Sequence, residues 1–574
     1  LGTPTATPPK WLVDQMPDMV ALDKDGKPRG FGSRRHYCFS HAGYRKEAQR
    51  ITRAVAERFG SHPAVVMWQT DNEYGCHDTA LSYSDAACEG FRNWLADRYG
   101  EVGILNQAWG NAFWSMEYHD FEQIELPNLT VTEANPAHWM AFRRYSSDQV
   151  MAFNQAQVEI LRELSPGRDI THNAMGFFPD YDHHDLGEQL DLLTWDSYPL
   201  GFLEMFGFSE ADKRHYARQG HPDIAAFHHD LYRGCGKDGR WGVIEQQPGP
   251  VNWATNNPAP LAGMVRLWTL EAMAHGAELL SYFRWRQVPF AQEQMHAGLL
   301  RPDSVAAPGL DEAKRVAPEV ASLGDVGEAI KQVAIVFSYE SEWVTATQPQ
   351  GHHLSAMWAA FACYKAARKL GLNVDIVPPS ASLGGYELVI LPCQPIARQC
   401  LVDELTSFDG QVIIGPRSGS KTQDFAIPDN LPPGPLAEIF PARVAHSESL
   451  RRGVEHVGDG WSITRWLDHL ESEAERELVA DDGSVACWKH GDVRYCAGWP
   501  EGGLIDEIVA RAASDAKLET TQLAEGIRQR RTGNYAFFFN YSSEAQALPT
   551  PIHGERLIGD ESLPAAGVAV FRND

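Results

Sequence analysis

Ala64-Val65-Val66-Met67-Trp68-Gln69-Thr70-Asp71-Asn72-Glu73-Tyr74-Gly75 is an apolar run that ends abruptly in a polar cluster. It lies between Pro63 and Gly75, is too short for a core helix and carries β-branched residues, which predicts a buried parallel strand. The carboxyl ends of such strands are where α/β barrels place their chemistry, so Glu73 is a candidate catalytic residue. An ordinary polar residue at a strand exit reads the same way. A partner carboxylate is needed to choose between the two.

The same grammar recurs in Trp241-Gly242-Val243-Ile244-Glu245-Gln246-Gln247-Pro248-Gly249, where apolar residues climb a strand, Glu245 sits at its end and a Gly/Pro turn follows. Two glutamates on separate strand tips of one parallel barrel can converge, as retaining glycoside hydrolysis requires at about 5–5.5 Å between carboxyls. Working outward, further strands are expected at Asp169-Ile170-Thr171-His172-Asn173, Leu192-Leu193-Thr194-Trp195-Asp196 and Leu279-Leu280-Ser281-Tyr282-Phe283-Arg284-Trp285. Helical patterns fill about 44–60, 83–99, 135–164 and 258–275. Residues 34–43 read as an irregular polar-aromatic loop, and residues 1–9 as a strand end running into a Pro-rich loop before a short helix at Trp11-Leu12.

This alternation of short strands and longer helices implies an α/β fold of parallel βα units, and an eight-stranded (β/α)8 TIM barrel is its natural architecture. Five whole strands and one fragment are present, as though a barrel were cut at its front by roughly 70–90 residues. After a helix at about 311–324 the pattern restarts with Val333-Ala334-Ile335-Val336-Phe337, a helix near 354–370, and strands at Val374-Asp375-Ile376-Val377, Leu388-Val389-Ile390-Leu391 and Gln411-Val412-Ile413-Ile414-Gly415. That is a second α/β domain without a Gly-rich phosphate fingerprint, and its later part reads as acidic and loop-rich. Short strands such as Tyr535-Ala536-Phe537-Phe538-Phe539-Asn540 predict a small β domain at the end. The expected domains are residues 1–326, 327–520 and 521–574.

A chain of 574 residues exceeds what one core sustains, which agrees with several domains. Its net charge of −26 argues against nucleic acid or an anionic membrane as partner and suits a neutral ligand such as a sugar. No apolar stretch reaches membrane-spanning length. Nine cysteines, odd in number and without framework spacing, read as free thiols of a reducing compartment, so a cytoplasmic location is expected.

With both glutamates placed, the chain resembles the β-galactosidases of glycoside hydrolase family 42 along essentially its whole length. The resemblance rests on Arg34-Arg35-His36-Tyr37-Cys38, Gln69-Thr70-Asp71-Asn72-Glu73-Tyr74-Gly75-Cys76-His77, Asn111-Ala112-Phe113-Trp114-Ser115, Glu245-Gln246-Gln247-Pro248-Gly249-Pro250-Val251-Asn252-Trp253 and Glu293-Gln294-Met295-His296, in the family's order and spacing. It implies a barrel, an α/β trimerisation domain and a small β domain, with removal of terminal β-D-galactosyl residues as the activity. Glu73 would be the acid/base, Glu245 the nucleophile and Asn72 the partner of the sugar 2-hydroxyl. Arg35, Glu293 and His296 would hold the other hydroxyls, and Trp253 would offer a flat apolar surface. The resemblance also implies a homotrimer in which Trp114 walls the neighbouring subunit's site. A negative Glu245 is expected to raise the pKa of Glu73, making it first an acid and then a base.

Taken without the family, Arg35 reads equally as the partner of a surface acid, Trp253 and Trp114 as core or rim aromatics, and His296 as structural. The pairs His183-His184 and His228-His229 read as solvated loop histidines rather than a metal site. Some relatives carry a cysteine zinc site after the acid/base motif, but Cys38 and Cys76 here face Ser82-Tyr83-Ser84-Asp85-Ala86-Ala87-Cys88, which lacks the close Cys pair. No structural zinc and no cofactor are therefore expected. The rival readings are another retaining glycosidase of this barrel class, such as one for α-L-arabinopyranosides, and a catalytically inactive sugar-binding protein.

Overall fold

The computed structural model describes residues 1–549 and 552–573. Its first layer is a curled, five-stranded parallel sheet in sequential order: β1 (Met67–Gln69), β2 (Asp169–Met175), β3 (Leu192–Ser197), β4 (Trp241–Gln246) and β5 (Leu279–Tyr282). Gly2 adds a parallel bridge to Gln69 on the free side of β1. All six residues of β3 are buried, because helices cover one face and the barrel interior fills the other. The strand β1 is shorter than the apolar run predicts. Val66 lies below it and is 79% exposed, outside the hydrogen-bonded ladder.

The covering helices include Asp85–Tyr99, Pro136–Leu164, Ile224–Cys235, Met264–Ala274 and Pro308–Leu323. The Asn135 side chain accepts from the Ala137 N–H and Pro136 occupies the first turn, so this long helix starts where capping chemistry dictates. Buried indoles of Trp68, Trp195, Trp241 and Trp268 fill the space between sheet and helices. The Trp68 Nε1–H donates to Ser165 Oγ at 2.8 Å, satisfying the one polar atom that ring brings inside.

The second sheet has seven strands, and four of its parallel members are Gln411–Ile414, Leu388–Leu391, Val333–Val336 and Val374–Val377. The stretch expected to be loop-rich instead supplies Glu475–Val479, Val485–His490 and Val493–Cys496, which extend this sheet, and the helix Gly502–Asp515. Charged and exposed residues such as Glu475 and Arg476, and the absence of a regular alternation in these strands, gave no strand signal in the sequence. A four-stranded antiparallel sheet containing Ile527–Thr532 and Tyr535–Asn540 closes the chain.

Buried ion pairs tie the three parts together. Asp223, beside the helix Ile224–Cys235, accepts from Arg528 Nε and Nη2 at 2.7 and 2.6 Å and faces Arg368 at 3.3 Å. Asp230 on the same helix takes His275 Nδ1 at 2.9 Å and the Tyr364 hydroxyl at 2.6 Å. The adjacent histidines therefore sit in a core. His183 opens the helix His183–Gln189, His228 and His229 lie inside Ile224–Cys235, and all three are fully buried. Burial pushes His228 down to about 3, so it stays neutral rather than solvated.

Candidate active site

The chain leaves β1 through a strained turn. Asp71 and Glu73 have φ of 49° and 46°, a left-handed conformation that costs a non-glycine residue about 1–3 kcal/mol. Surrounding bonds hold it there. The buried Asp71 carboxylate accepts Thr5 Oγ1–H at 2.6 Å, the Tyr37 hydroxyl at 3.0 Å and the Asn72 N–H at 2.7 Å, and its own N–H donates to Thr3 Oγ1 at 2.7 Å. His172 on β2 donates through Nδ1 to the Thr70 carbonyl at 2.7 Å and accepts the Tyr74 N–H on Nε2 at 3.1 Å. Burial pushes that imidazole down to about 3, which agrees with the neutral tautomer both bonds require.

This turn delivers Glu73 to the carboxyl end of the sheet. Its Oε2 accepts Arg35 Nη2–H at 2.9 Å and Asn72 Nδ2–H at 3.1 Å, and it forms an ion pair with Arg34, whose Nη2 lies 2.9 Å away. Arg35 is only 1% exposed, and its Nη1 donates to the Asn72 carbonyl at 2.9 Å. Arg35 is therefore not the partner of a surface acid. Facing this cluster, Glu245 on β4 accepts the Tyr198 hydroxyl on Oε2 and Asn173 Nδ2 on Oε1 at 3.5 Å. The Asn173 amide reaches both strand tips, because its Oδ1 accepts the Glu73 N–H at 3.0 Å.

The electrostatics differ from the expected pattern. Burial, followed by the charge of Glu73, pushes the Glu245 carboxyl up to about 8, while the Tyr198 hydroxyl and Arg34 pull the other way. The upward push thus falls on Glu245. Glu73 lies against two guanidiniums, whereas Glu245 has a hydroxyl and an amide as direct donors, and no sequence pattern reported that difference.

Around them, Tyr198 meets Trp253 and His296 edge-on, at centroid separations of 5.7 and 5.6 Å. Trp253 is 40% exposed, so it is not a core aromatic. His296 is buried, with Nδ1 at 3.2 Å from Asn252 Oδ1 and no partner on Nε2; burial and the Arg284 charge push it down to about 4. Glu293 pairs with Arg284, and Arg34 feels the charges of Glu73, Glu293 and Glu245 together. Seven of the expected site residues are thus gathered in one place: Arg35, Asn72, Glu73, Glu245, Trp253, Glu293 and His296. Trp114 is elsewhere. It is 71% exposed at φ 57°, and it lines a surface cavity of about 440 Å³ with Trp109, Phe113 and Phe425.

Sequence reasoning passed over Arg34, Asn173, Asp196, Tyr198 and Arg284. Asn173 and Asp196 each end an expected strand, the same signal that singled out Glu73 and Glu245. Near the segment compared with a zinc site, Cys38 Sγ takes the Ser84 hydroxyl at 3.3 Å and Cys76 Sγ lies 3.0 Å from His77 Nδ1. Among the described residues no group of three or more His, Cys, Asp or Glu is arranged to hold a metal ion.

Family models match the chain in three consecutive segments: one described as beta-galactosidase over residues 1–323, one as beta-galactosidase trimerisation domain over 331–519, and one as beta-galactosidase C-terminal domain over 521–573. A beta-galactosidase of Thermus thermophilus is 50% identical, with the match spanning 100% of this chain and 89% of that protein. The crystal structure of a beta-galactosidase from the psychrophilic Marinomonas ef1 superposes with a TM-score of 0.97 at 49% identity, covering 100% of this chain and 90% of the other. That of a beta-galactosidase from the Antarctic haloarchaeon Halorubrum lacusprofundi gives 0.94 at 39% identity, covering 100% and 89%.

Proposed function

Since the chain belongs to the β-galactosidases of glycoside hydrolase family 42, we propose that it cleaves terminal β-D-galactosides by double displacement, with Glu245 as nucleophile and Glu73 as acid/base. That it is a glycoside hydrolase removing galactosyl residues follows from the family. The assignment of roles rests on one observation: two strand-tip glutamates share the Asn173 amide, one against guanidiniums and the other under a phenol hydroxyl.

In the first step a Glu245 oxygen attacks the anomeric carbon, and the bond to the leaving oxygen breaks as that oxygen takes the proton of Glu73. The form of the pair that reacts carries one proton, on Glu73, with Glu245 ionised, and the step leaves Glu73 as the carboxylate. The Tyr198 hydroxyl favours this arrangement by donating to the Glu245 carboxylate. Once Glu245 is a neutral ester, ionised Glu73 removes a proton from water as the water attacks the anomeric carbon, and Glu245 departs as carboxylate. Asn72 would hold the 2-hydroxyl, Arg35, Glu293 and His296 the other hydroxyls, and Trp253 the apolar sugar face. The unpartnered Nε2 of buried His296 supports its part in this.

The assembly proposed is a homotrimer in which Trp114 walls a neighbour's site. Exposed Phe113 and Trp114, with ring centroids 4.8 Å apart, form an apolar projection that a second subunit would cover. We divide the chain at 326/327 and 520/521. We further propose activity without a metal or cofactor, and a cytoplasmic setting suited to nine free thiols. Among the described residues no helix is long and apolar enough to cross a membrane.

The test is the configuration of the first-formed sugar by NMR. The parent should release β-galactose. Glu245→Ala should lose turnover and, with azide, yield the α-galactosyl azide. α-Galactose from the parent would overturn the mechanism.

A further inference from the structure

The side chain of Asn173 lies where the two strand tips meet. Its Oδ1 accepts the Glu73 N–H at 3.0 Å and Gln69 Nε2 at 2.9 Å. Its Nδ2 donates to Asp196 Oδ2 at 2.8 Å, to Asn72 Oδ1 at 3.2 Å and to Glu245 Oε1 at 3.5 Å. The backbone N–H of Glu73 can only donate, so the amide oxygen must face it and the orientation of the whole group is fixed. Asn173 is fully buried and sits on a central strand, so a shift of its amide is resisted by the sheet.

The shortest Nδ2 bond goes to Asp196, which the reaction as described does not use. A register shift between Trp195 and Asp196 sets Asp196 opposite Glu245 in the ladder. Asp196 is buried, its Oδ2 has the Asn173 amide and its Oδ1 has no partner. The charges facing it are Glu245 on β4, Glu73 at the tip of β1 and Arg34, with the phenols of Tyr181, Tyr198 and Tyr232 around it. A carboxylate here would be a further negative charge beside the glutamate pair, with one neutral hydrogen bond. Burial, then Glu245 and Glu73, hold its carboxyl well above the usual range.

We propose that Asn173 and Asp196 are positioning residues for the hydrolysis: Asp196 fixes the Asn173 amide, and that amide holds Glu245 and the Asn72–Glu73 segment in one frame. The inference rests on the assignment of Glu73 and Glu245 as the catalytic pair. Neither residue reaches the sugar in this scheme: Asn173 acts through the glutamates it orients, and Asp196 through Asn173. Their effect is geometric, since a misplacement of about 1 Å at a reacting group costs about 100-fold in rate.

The experiment measures kcat and KM separately on an aryl β-galactoside for Asn173→Ala, Asn173→Asp, Asp196→Ala, Asp196→Asn and Glu245→Ala, with melting curves for each. Asn173→Ala should lower kcat about 100-fold with KM changed less than about threefold. Asn173→Asp keeps the shape but sets a further carboxyl against Asp196 and Glu245 in place of the amide that bridges them, so it should also lose kcat while melting as a folded protein. Asp196→Ala should lose about tenfold or more, and Asp196→Asn should recover most of that, because its amide oxygen can still accept the Asn173 Nδ2–H. Parent-like kcat in both folded Asn173 variants, or Asp196→Asn as impaired as Asp196→Ala, would overturn the proposal. Turnover by Glu245→Ala would instead defeat the catalytic assignment beneath it. An inactive Glu245→Ala beside fully active Asn173 variants would defeat this inference alone.

Discussion

Tyr198→Phe isolates the donor that favours an ionised Glu245. The hydroxyl donates to Glu245 Oε2, and it lowers the proton affinity that burial and Glu73 raise. A hydrogen bond to a charged group contributes about 1.5–3 kcal/mol, which at about 1.4 kcal/mol per pKa unit is about one to two units. Phenylalanine keeps the ring that meets Trp253 and His296, so packing changes little. The sign follows from the charge state. The bond stabilises the carboxylate, so removing it raises the Glu245 pKa further, and attack requires the carboxylate. The acid limb of kcat/KM, which reports the free enzyme, should therefore move about one to two units to higher pH, with kcat/KM on that limb falling about 10- to 100-fold. The assay is a pH–rate profile on an aryl β-galactoside for parent and variant. A limb that stays in place or moves to lower pH, in a variant that melts like the parent, would refute the reasoning.

Glu245→Gln should abolish turnover yet stabilise the fold. Its carboxyl is raised from 4.5 to about 8 in the folded protein, so the parent is stable below the unfolded pKa and loses that stability as pH rises through about 8. The Tm gain of the variant should grow from pH 5 to pH 8 in calorimetry. Asp223→Asn strands the buried Arg528 and Arg368 guanidiniums and should cost about 3–5 kcal/mol in urea unfolding. Trp114→Ala should raise KM about 10-fold or more while light scattering still reports the trimer. Chelator should leave rate and Tm unchanged, as checked by assay and calorimetry after EDTA dialysis.

How much was legible in the sequence depended on which physical signal was local. Strand tips were readable because an apolar run followed by Glu, Asn or Asp is written in consecutive residues, as at Gln69–Glu73 and Trp241–Glu245. The helix Pro136–Leu164 was readable because it carries its own cap. The helix Ile224–Cys235 was not, since it is buried nearly all round and its polar side chains, among them His229 and Asp230, face other parts of the chain rather than solvent. His228 and His229 looked solvated for the same reason. Their hydrophobic surroundings come from residues distant in the chain, such as Phe177 and Trp195. Asn173 and Asp196 ended expected strands but remained unassigned, because their roles depend on register between strands. Arg34 was overshadowed by its neighbour Arg35, although both guanidiniums reach the same Glu73 oxygen. The upward shift of Glu245 comes first from burial and only then from the charge of Glu73, and burial of a strand tip is not written in consecutive residues.

The central claim is that Glu245 forms the covalent galactosyl ester. A 2-deoxy-2-fluoro-β-galactoside with a good leaving group should be attacked normally and then hydrolysed slowly, so that the ester accumulates. Peptide mapping by mass spectrometry after proteolysis should find the fluorogalactosyl group on the Trp241–Gly249 segment, at Glu245, with Glu73 unlabelled. A label on any other residue, or an unlabelled enzyme that still turns the compound over with inversion, would contradict the account.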